Sequence, residues 1–238
     1  MKDIDAIAML QDPVRRRLYE YVAAQGREVG RNEAAEAAGV ARTLAAHHLD
    51  RLTEAGLLES GSRRLTGRSG PGAGRPAKVY TRARAERSVS LPARDYLTAA
   101  ELLAEAAEQA GLDAVLRAAA GRRGEALRGS AAPCAGLEEA VEMLADRGYE
   151  PYLEGGEGAE DAQDAAGAGA VTGAAPRVVR MRNCPFHAVA EHFPPLVCGM
   201  NLALLEGLFG ADGPVRPRMD ARPGECCVVI ESSKNNDH

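Results

Sequence analysis

Four of the five cysteines lie in the last quarter of the chain, as Cys184, Cys198, Cys226 and Cys227. Thiolates bind soft or borderline metals, so such a set predicts a zinc ion or an iron–sulfur cluster. Structural zinc sites usually contain a Cys-x2-Cys pair, and the sequence has none. Three well-separated cysteines on loops, with a fourth ligand open to choice, fit a [4Fe–4S] cluster better.

The fourth ligand is open at this point. His187 is the first candidate, since it lies about one helical turn after Cys184. Cys227 ranks lower, because neighbours on a strand point to opposite faces. His192, a water or another thiol ligand are further possibilities. Cys134, alone between Pro133 and Ala135, is predicted to bind nothing.

Two other interpretations compete with a metal centre. Free cysteines are often buried as small apolar side chains, and these could simply fill the core of an α/β domain. Alternatively, Cys184 and His187 could form a nucleophile–base pair. The sequence offers no third group to orient that histidine, so we expect no enzymatic activity.

The elements around the cysteines form a predicted α/β sensor domain. Cys184 follows a strand at Arg177–Arg182, Cys198 opens a helix, and Cys226 and Cys227 lead into the strand CVVIE. A further strand at Tyr149–Leu153 is expected to pair with the first across an insert at 154–175. That insert is rich in glycine, alanine and acidic residues and is predicted to be disordered.

Charge is distributed unevenly along the chain. The net charge is −5, but residues 1–86 carry 15 basic and 11 acidic side chains, whereas residues 87–238 carry 14 and 23. Between Ser62 and Arg84 there are seven basic residues and no acidic one. A basic segment on an acidic protein is typical of a surface that binds phosphates.

The first 56 residues contain the start and end signals of three successive helices. Asp12 and Pro13 are a predicted helix start, and Gly26, Gly39 and Gly56 are predicted helix ends. A short helix, a glycine turn and a longer helix make up a helix-turn-helix. Strands from Leu57 and at Ala77–Thr81 would form a wing.

The third helix buries Ala45, Leu49 and Leu52 and presents its other side to DNA. Residues early in such a helix reach base edges in the major groove, and basic side chains on a wing contact phosphates. The predicted contacts on the helix are Arg42, Thr43, Ala46, His47 and Arg51; those on the wing are Arg63, Arg64, Arg68, Arg75 and Lys78. His48 is expected to pack inward.

A helix from Pro92 to Gln109 places Leu97, Ala100 and Leu103 on one face, and we expect it to pair with its twin in a homodimer. The predicted domains are 1–86, a helical dimerisation or connector region at 87–130, and the sensor at 131–238. No signal peptide or membrane span is predicted, which indicates a cytoplasmic protein. The fold class is α+β.

The segments AHHLDRLTEAGLL and GRPAKVY resemble winged-helix regulators of the ArsR/DeoR-like superfamily over about residues 10–85, and more narrowly its SufR-type branch. NCPFH, VCGMNLALLEGLF and GECCVVI resemble the C-terminal part of that branch. SufR-type proteins repress iron–sulfur assembly genes and carry a [4Fe–4S] cluster, so the resemblance implies Cys184, Cys198 and Cys226 as ligands, double-stranded operator DNA as partner, and repression. The alternative is a winged-helix regulator whose C-terminal domain binds zinc or a small ligand.

Overall fold

The computed structural model describes residues 2–63, 76–155 and 177–233, and the chain divides into two compact units, Met1–Arg94 and Asp95–His238. The first unit contains helices α1 (Lys2–Ala8), α2 (Pro13–Gln25), α3 (Arg31–Ala38) and α4 (Arg42–Glu54), a 3-10 turn at Met9–Gln11, and strands β1 (Val29–Gly30), β2 (Leu58–Arg63) and β3 (Ala77–Arg82).

The helix ends of the first unit follow the local signals in the sequence. The carboxylate of Asp12 accepts hydrogen bonds from the backbone nitrogens of Val14 and Arg15, both at 2.9 Å, and so caps α2. Gly39, between α3 and α4, has φ +66°, a left-handed conformation that side chains other than glycine adopt at a cost. The predicted helix-turn-helix is confirmed.

The wing is a two-stranded antiparallel pair, extended by β1 into a sheet of order β1-β3-β2. Leu58 lies opposite Arg82, and Arg63 lies opposite Ala77. Beneath the sheet, the buried side chains of α2 and α4, including Leu18, Leu49 and Leu52, form one core with Leu58 and Tyr80. Arg64, Arg68 and Arg75, predicted on the wing loop, lie outside the described residues.

The second unit contains α5 (Tyr96–Gln109), α6 (Asp113–Arg128), α7 (Leu137–Ala145), β4 (Pro151–Glu154), β5 (Val178–Met181), α8 (His187–Ala190), α9 (Pro194–Phe209), β6 (Val215–Met219) and β7 (Val228–Ser232). Its antiparallel sheet has the order β4-β5-β7-β6. Helices α7 and α9 cover one face, where Leu144, Leu205 and Phe209 pack on Val179 and Ile230.

The predicted pairing of the two strands that flank the insert is confirmed, since β4 pairs with β5 from Pro151 opposite Met181 to Glu154 opposite Val178. Most of the insert lies outside the described residues. Helix α9 begins at Pro194 instead of Cys198, because proline is well accommodated in a first helical turn, where no backbone N–H is needed. Helix α5 begins at Tyr96 and belongs to the second unit. Among the described helices, none is long and apolar enough to cross a bilayer.

Candidate cysteine centre and nucleic-acid interface

The cysteines of the second unit come from three places in the fold. Cys184 follows β5, Cys198 lies in the second turn of α9, and Cys226 and Cys227 directly precede β7. The backbone nitrogen of Cys226 donates to the carbonyl oxygen of Met181 at 2.9 Å. That bond joins Cys226 to the last residue of β5, three residues before Cys184.

Cys184, Cys226 and Cys227 belong to one apolar cluster of the second unit, and the pKa of each is shifted by neighbouring cysteines. Cys226 interacts with Cys184 on one side and with Cys227 on the other, and Cys227 interacts in turn with Cys198. The structure therefore brings Cys227 into the group. The alternation expected of a strand does not apply to Cys226 and Cys227, because β7 begins only at Val228.

The thiols differ sharply in acidity. Hydrogen bonds from Cys184 and then Cys227 hold the pKa of Cys226 far below its usual value, although burial acts in the opposite direction. The pKa of Cys184 is raised by its hydrogen bond to Cys226 and by burial, and that of Cys227 is raised for the same two reasons.

Two buried polar residues support Cys226, and sequence reasoning missed both. Asn201, fully buried on α9, donates from Nδ2 to the sulfur of Cys226 at 3.5 Å. Its Oδ1 accepts from the hydroxyl of Tyr149 at 2.5 Å. A buried amide is costly unless it is hydrogen-bonded. The signal in the sequence is this lone asparagine within the apolar run of α9.

The two histidines near the cysteines contact carboxylates. The side chain of His187 is 67% exposed, with Nε2 3.1 Å from Oε1 of Glu191. His192 lies beyond the end of α8, with Nδ1 3.6 Å from Oε1 of Glu101. Cys134 is buried, and its thiol donates to the carbonyl oxygen of Gly136 at 3.3 Å.

The donor chemistry of this group fits a thiolate-bound centre. Four cysteine sulfurs are the usual ligands of iron–sulfur clusters and of structural zinc. Within residues 2–63, 76–155 and 177–233, no three His, Cys, Asp or Glu side chains are arranged as the site of a single metal ion.

The two sides of helix α4 in the first unit differ in burial, as the sequence predicts. Ala45, Leu49 and Leu52 are buried, whereas the side chains of Arg42, Thr43, His47 and Arg51 are exposed, and Ala46 and His48 are half-buried. Leu44 is also 42% exposed beside Thr43, a position outside the buried stripe. The exposed side combines two guanidinium groups, a hydroxyl, an imidazole and one apolar side chain, a mixture suited to base edges.

Three of the predicted phosphate contacts already pair with carboxylates of the first unit. Nζ of Lys78 lies 2.7 Å from Oδ1 of Asp50. Arg51 lies 3.3 Å from Glu54, and Arg63 lies 3.5 Å from Glu28. Phosphate binding by these cations would have to share or replace an internal ion pair.

Asp50 connects α4 to the wing, a role that the sequence did not reveal. It accepts a hydrogen bond from the hydroxyl of Tyr80 on β3 at 2.7 Å and lies 3.2 Å from Arg31 of α3. Burial opposes ionisation, but the hydrogen bonds from Lys78 and Tyr80 outweigh it and lower the pKa of Asp50. Burial and the bond to Asp50 raise the pKa of Tyr80 to about 12. The network fixes the wing strand against the exposed helix.

A family model described as a helix-turn-helix domain matches residues 10–61, which include α2, α3 and α4. No curated protein and no solved structure matches the chain. The match agrees with the turn at Gly39 and with the two-sided helix α4. The chain therefore carries an N-terminal helix-turn-helix domain followed by a wing, the arrangement of a DNA-binding transcriptional regulator.

Proposed function

We propose that this protein is a homodimeric transcriptional repressor of iron–sulfur assembly genes whose operator binding depends on a [4Fe–4S] cluster. The observation that supports it most is the grouping of Cys184, Cys226 and Cys227 in one part of the second unit, where Cys198 also acts on the pKa of Cys227. Cys184, Cys198 and Cys226 are the proposed ligands. Cys227 replaces His187 as the favoured fourth ligand, since His187 is exposed beside Glu191.

The proposed reading surface is the exposed side of α4. Arg42, Thr43 and His47 would approach base edges, Ala46 would allow close contact, and Arg51 would bind phosphate. On the wing, Arg63 and Lys78 would contact the DNA backbone, and binding would weaken as salt rises. The Asp50 network keeps the two elements in register while DNA is bound.

The proposed dimer interface is α5. None of the residues of α5 is buried. Its apolar side chains Leu97 and Leu103 lie on one side of the helix and are exposed, and the exposed fraction of Leu103 is 72%. Exposed apolar patches on a helix mark contact surfaces. A second copy of α5 would cover this face and would set two reading helices on the two half-sites of an operator.

Two helices, α9 and α6, connect the cysteines to α5 within the second unit. When bound, an iron–sulfur cluster supplies a cross-link between segments that is lost on oxidation or iron shortage. Cys198 lies on α9, which packs against α6 with backbone contact at Gly124 and Gly207. Helix α6 follows α5 after a turn at Ala110–Leu112. A displacement of α9 would therefore be passed to the proposed dimer helix.

The decisive experiment is anaerobic purification followed by an ultraviolet–visible spectrum, with quantitation of iron, sulfide and zinc. We expect a brown protein with about four iron and four sulfide per chain. DNA binding is then compared between the loaded and the metal-free protein on an operator selected from random duplexes. Colourless protein with one zinc per chain would replace the cluster by the zinc alternative. Loss of all duplex binding in both forms would refute the regulator.

A further inference from the structure

The side chain of Arg180 is almost fully buried on the sheet face opposite α7 and α9, although it carries a charge. Only 2% of it is exposed. Its Nε lies 2.7 Å from Glu154 at the end of β4, and its Nη2 lies 2.6 Å from Asp220. Its Nη1 lies 3.7 Å from Glu225. A buried guanidinium is tolerated only when its partners are held in place.

Two of these three carboxylates belong to the segment that carries two cysteines. We call residues 220–227, between β6 and β7, the cysteine loop; it begins at Asp220 and ends at Cys227. Its ends are joined, since the backbone nitrogen of Asp220 donates to the carbonyl oxygen of Cys227 at 2.9 Å. Arg180 therefore contacts the loop at two places. One is its first residue, Asp220, and the other is Glu225, the residue directly before Cys226.

Neighbouring contacts reinforce the same attachment. The hydroxyl of Tyr152 donates to Oε1 of Glu225, and Arg222, within the loop, lies 2.6 Å from Glu154. Arg180 also directly precedes Met181, whose carbonyl oxygen accepts the hydrogen bond from the backbone of Cys226. The loop is thus held to β4 and β5 by ion pairs on one side and by the backbone on the other.

We propose that Arg180 is a positioning residue: through Asp220 and Glu225 it holds the cysteine loop so that Cys226 and Cys227 stay beside Cys184 and Cys198. The proposal rests on the proposed function for its purpose, but its physical content concerns the metal-free chain. Loss of either carboxylate contact should let the loop open locally, while the apolar core beneath the sheet stays closed.

The test measures alkylation of each cysteine by mass spectrometry in the reduced, metal-free, full-length protein, using iodoacetamide. The variants are Glu225→Gln and Asp220→Asn, with Arg180→Met as a third. Arg216→Gln is the matched control, since Arg216 lies on β6, the strand that leads into the cysteine loop, but bonds to Ser233. Cys134, buried in the same core, reports global opening within each sample.

We expect Cys226 and Cys227 to react about fivefold to tenfold faster relative to Cys134 in the two carboxylate variants, with faster hydrogen exchange confined to residues 220–227. Arg216→Gln should behave as wild type. If Arg180→Met does not fold, the two carboxylate variants decide. An unchanged ratio in both, or an equal acceleration of Cys134, would overturn the positioning role. Because no metal is present, failure of the cluster proposal would show separately, in the spectrum.

Discussion

At the scale of single residues, the cysteines differ in partners more than in exposure. The sulfur of Cys226 accepts a hydrogen bond from the amide of Asn201, and other cysteines shift its pKa, whereas the thiol of Cys134 donates to the backbone carbonyl of Gly136. Thiolates bind metals, so substitution of each cysteine in turn should show which sulfurs hold the proposed centre.

We expect Cys184→Ser, Cys198→Ser and Cys226→Ser each to abolish the iron content and visible absorbance of anaerobically purified protein. Cys227→Ser should shorten the lifetime of the colour in a chelator by about tenfold or more. Cys134→Ala is the control and should retain iron. His187→Ala should also retain iron, because His187 faces Glu191. Iron loss in His187→Ala alone, with Cys227→Ser unaffected, would restore the histidine as fourth ligand.

Asp50 gives a prediction about pH. Its pKa in the folded protein lies below the usual value near 3.8, so its ionised form stabilises the fold above that value. The stabilisation is lost as pH falls through the lower, folded-state pKa. At pH 7, Asp50→Asn should cost about 1 kcal/mol, a figure that allows for solvent screening of the ion pairs. The difference from wild type should shrink below about pH 4.

Hydrogen exchange of peptides from α4 and β3 at increasing urea concentrations measures this difference for the first unit alone. Glu59→Gln, at an exposed carboxylate on β2, is the control and should show no such trend. A stability difference for Asp50→Asn that is constant from pH 7 to pH 3 would contradict the linkage.

At the scale of elements, the closest contact in the second unit is that of α6 with α9. A Cβ added at Gly124 would lie 2.1 Å from the carbonyl oxygen of Leu204, and one added at Gly207 would lie 2.2 Å from that of Gly121. Both obstacles are backbone atoms, which cannot rotate away. The glycines thus allow α9, with Cys198 and Asn201, to lie directly on α6.

Gly124→Ala should therefore destabilise the second unit by about 1–3 kcal/mol, because the two helices must move apart. Gly121→Ala is the matched control on the same helix. Its Cβ would lie 3.7 Å from the carbonyl oxygen of Ala203, an ordinary contact, so helix propensity should leave it neutral or up to about 1 kcal/mol more stable. Hydrogen exchange of peptides from α9 at increasing urea concentrations measures the stability of the two variants and distinguishes Gly124→Ala from Gly121→Ala. Equal destabilisation by both would show that the close approach is unimportant.

At the scale of the whole molecule, the proposed regulator must be a dimer and must couple its two units. The exposed apolar side of α5 is the described surface best suited to a second copy. Leu103→Glu should convert the dimer to a monomer at micromolar concentration, as measured by light scattering after size exclusion. Glu108→Gln, at an exposed position of the same helix, should remain dimeric. A wild-type protein that is already monomeric would refute this interface.

Coupling between the units has a thermodynamic consequence. If the cluster raises operator affinity by some factor, operator DNA must raise cluster affinity by the same factor. We therefore expect a saturating operator duplex to slow cluster loss to a chelator, and a scrambled duplex at the same salt concentration to have a much smaller effect. Identical rates with both duplexes would mean that DNA binding and the cysteine centre are independent.

Some features of this protein could be predicted from the sequence because their causes are local. Asp12 caps a helix through nitrogens two and three residues away, Gly39 turns the chain within one residue, and the Ala45/Leu49/Leu52 stripe repeats within a single helix. Such interactions act in any chain with that spacing. The helix-turn-helix and the strands of the wing followed from them.

Other features were decided only by the tertiary structure, since their partners are distant in sequence. Asp50 is 28 residues from Lys78, and Arg180 is 40 residues from Asp220. The association of Cys227 with the other sulfurs depends on where β7 begins, a boundary set by pairing with β5 and β6. Spacing along the chain favoured His187 as a partner of Cys184. The structure places that histidine beside Glu191, and the cysteine that acts most strongly on Cys184 is Cys226, 42 residues away, because side chains meet according to packing and not according to sequence separation.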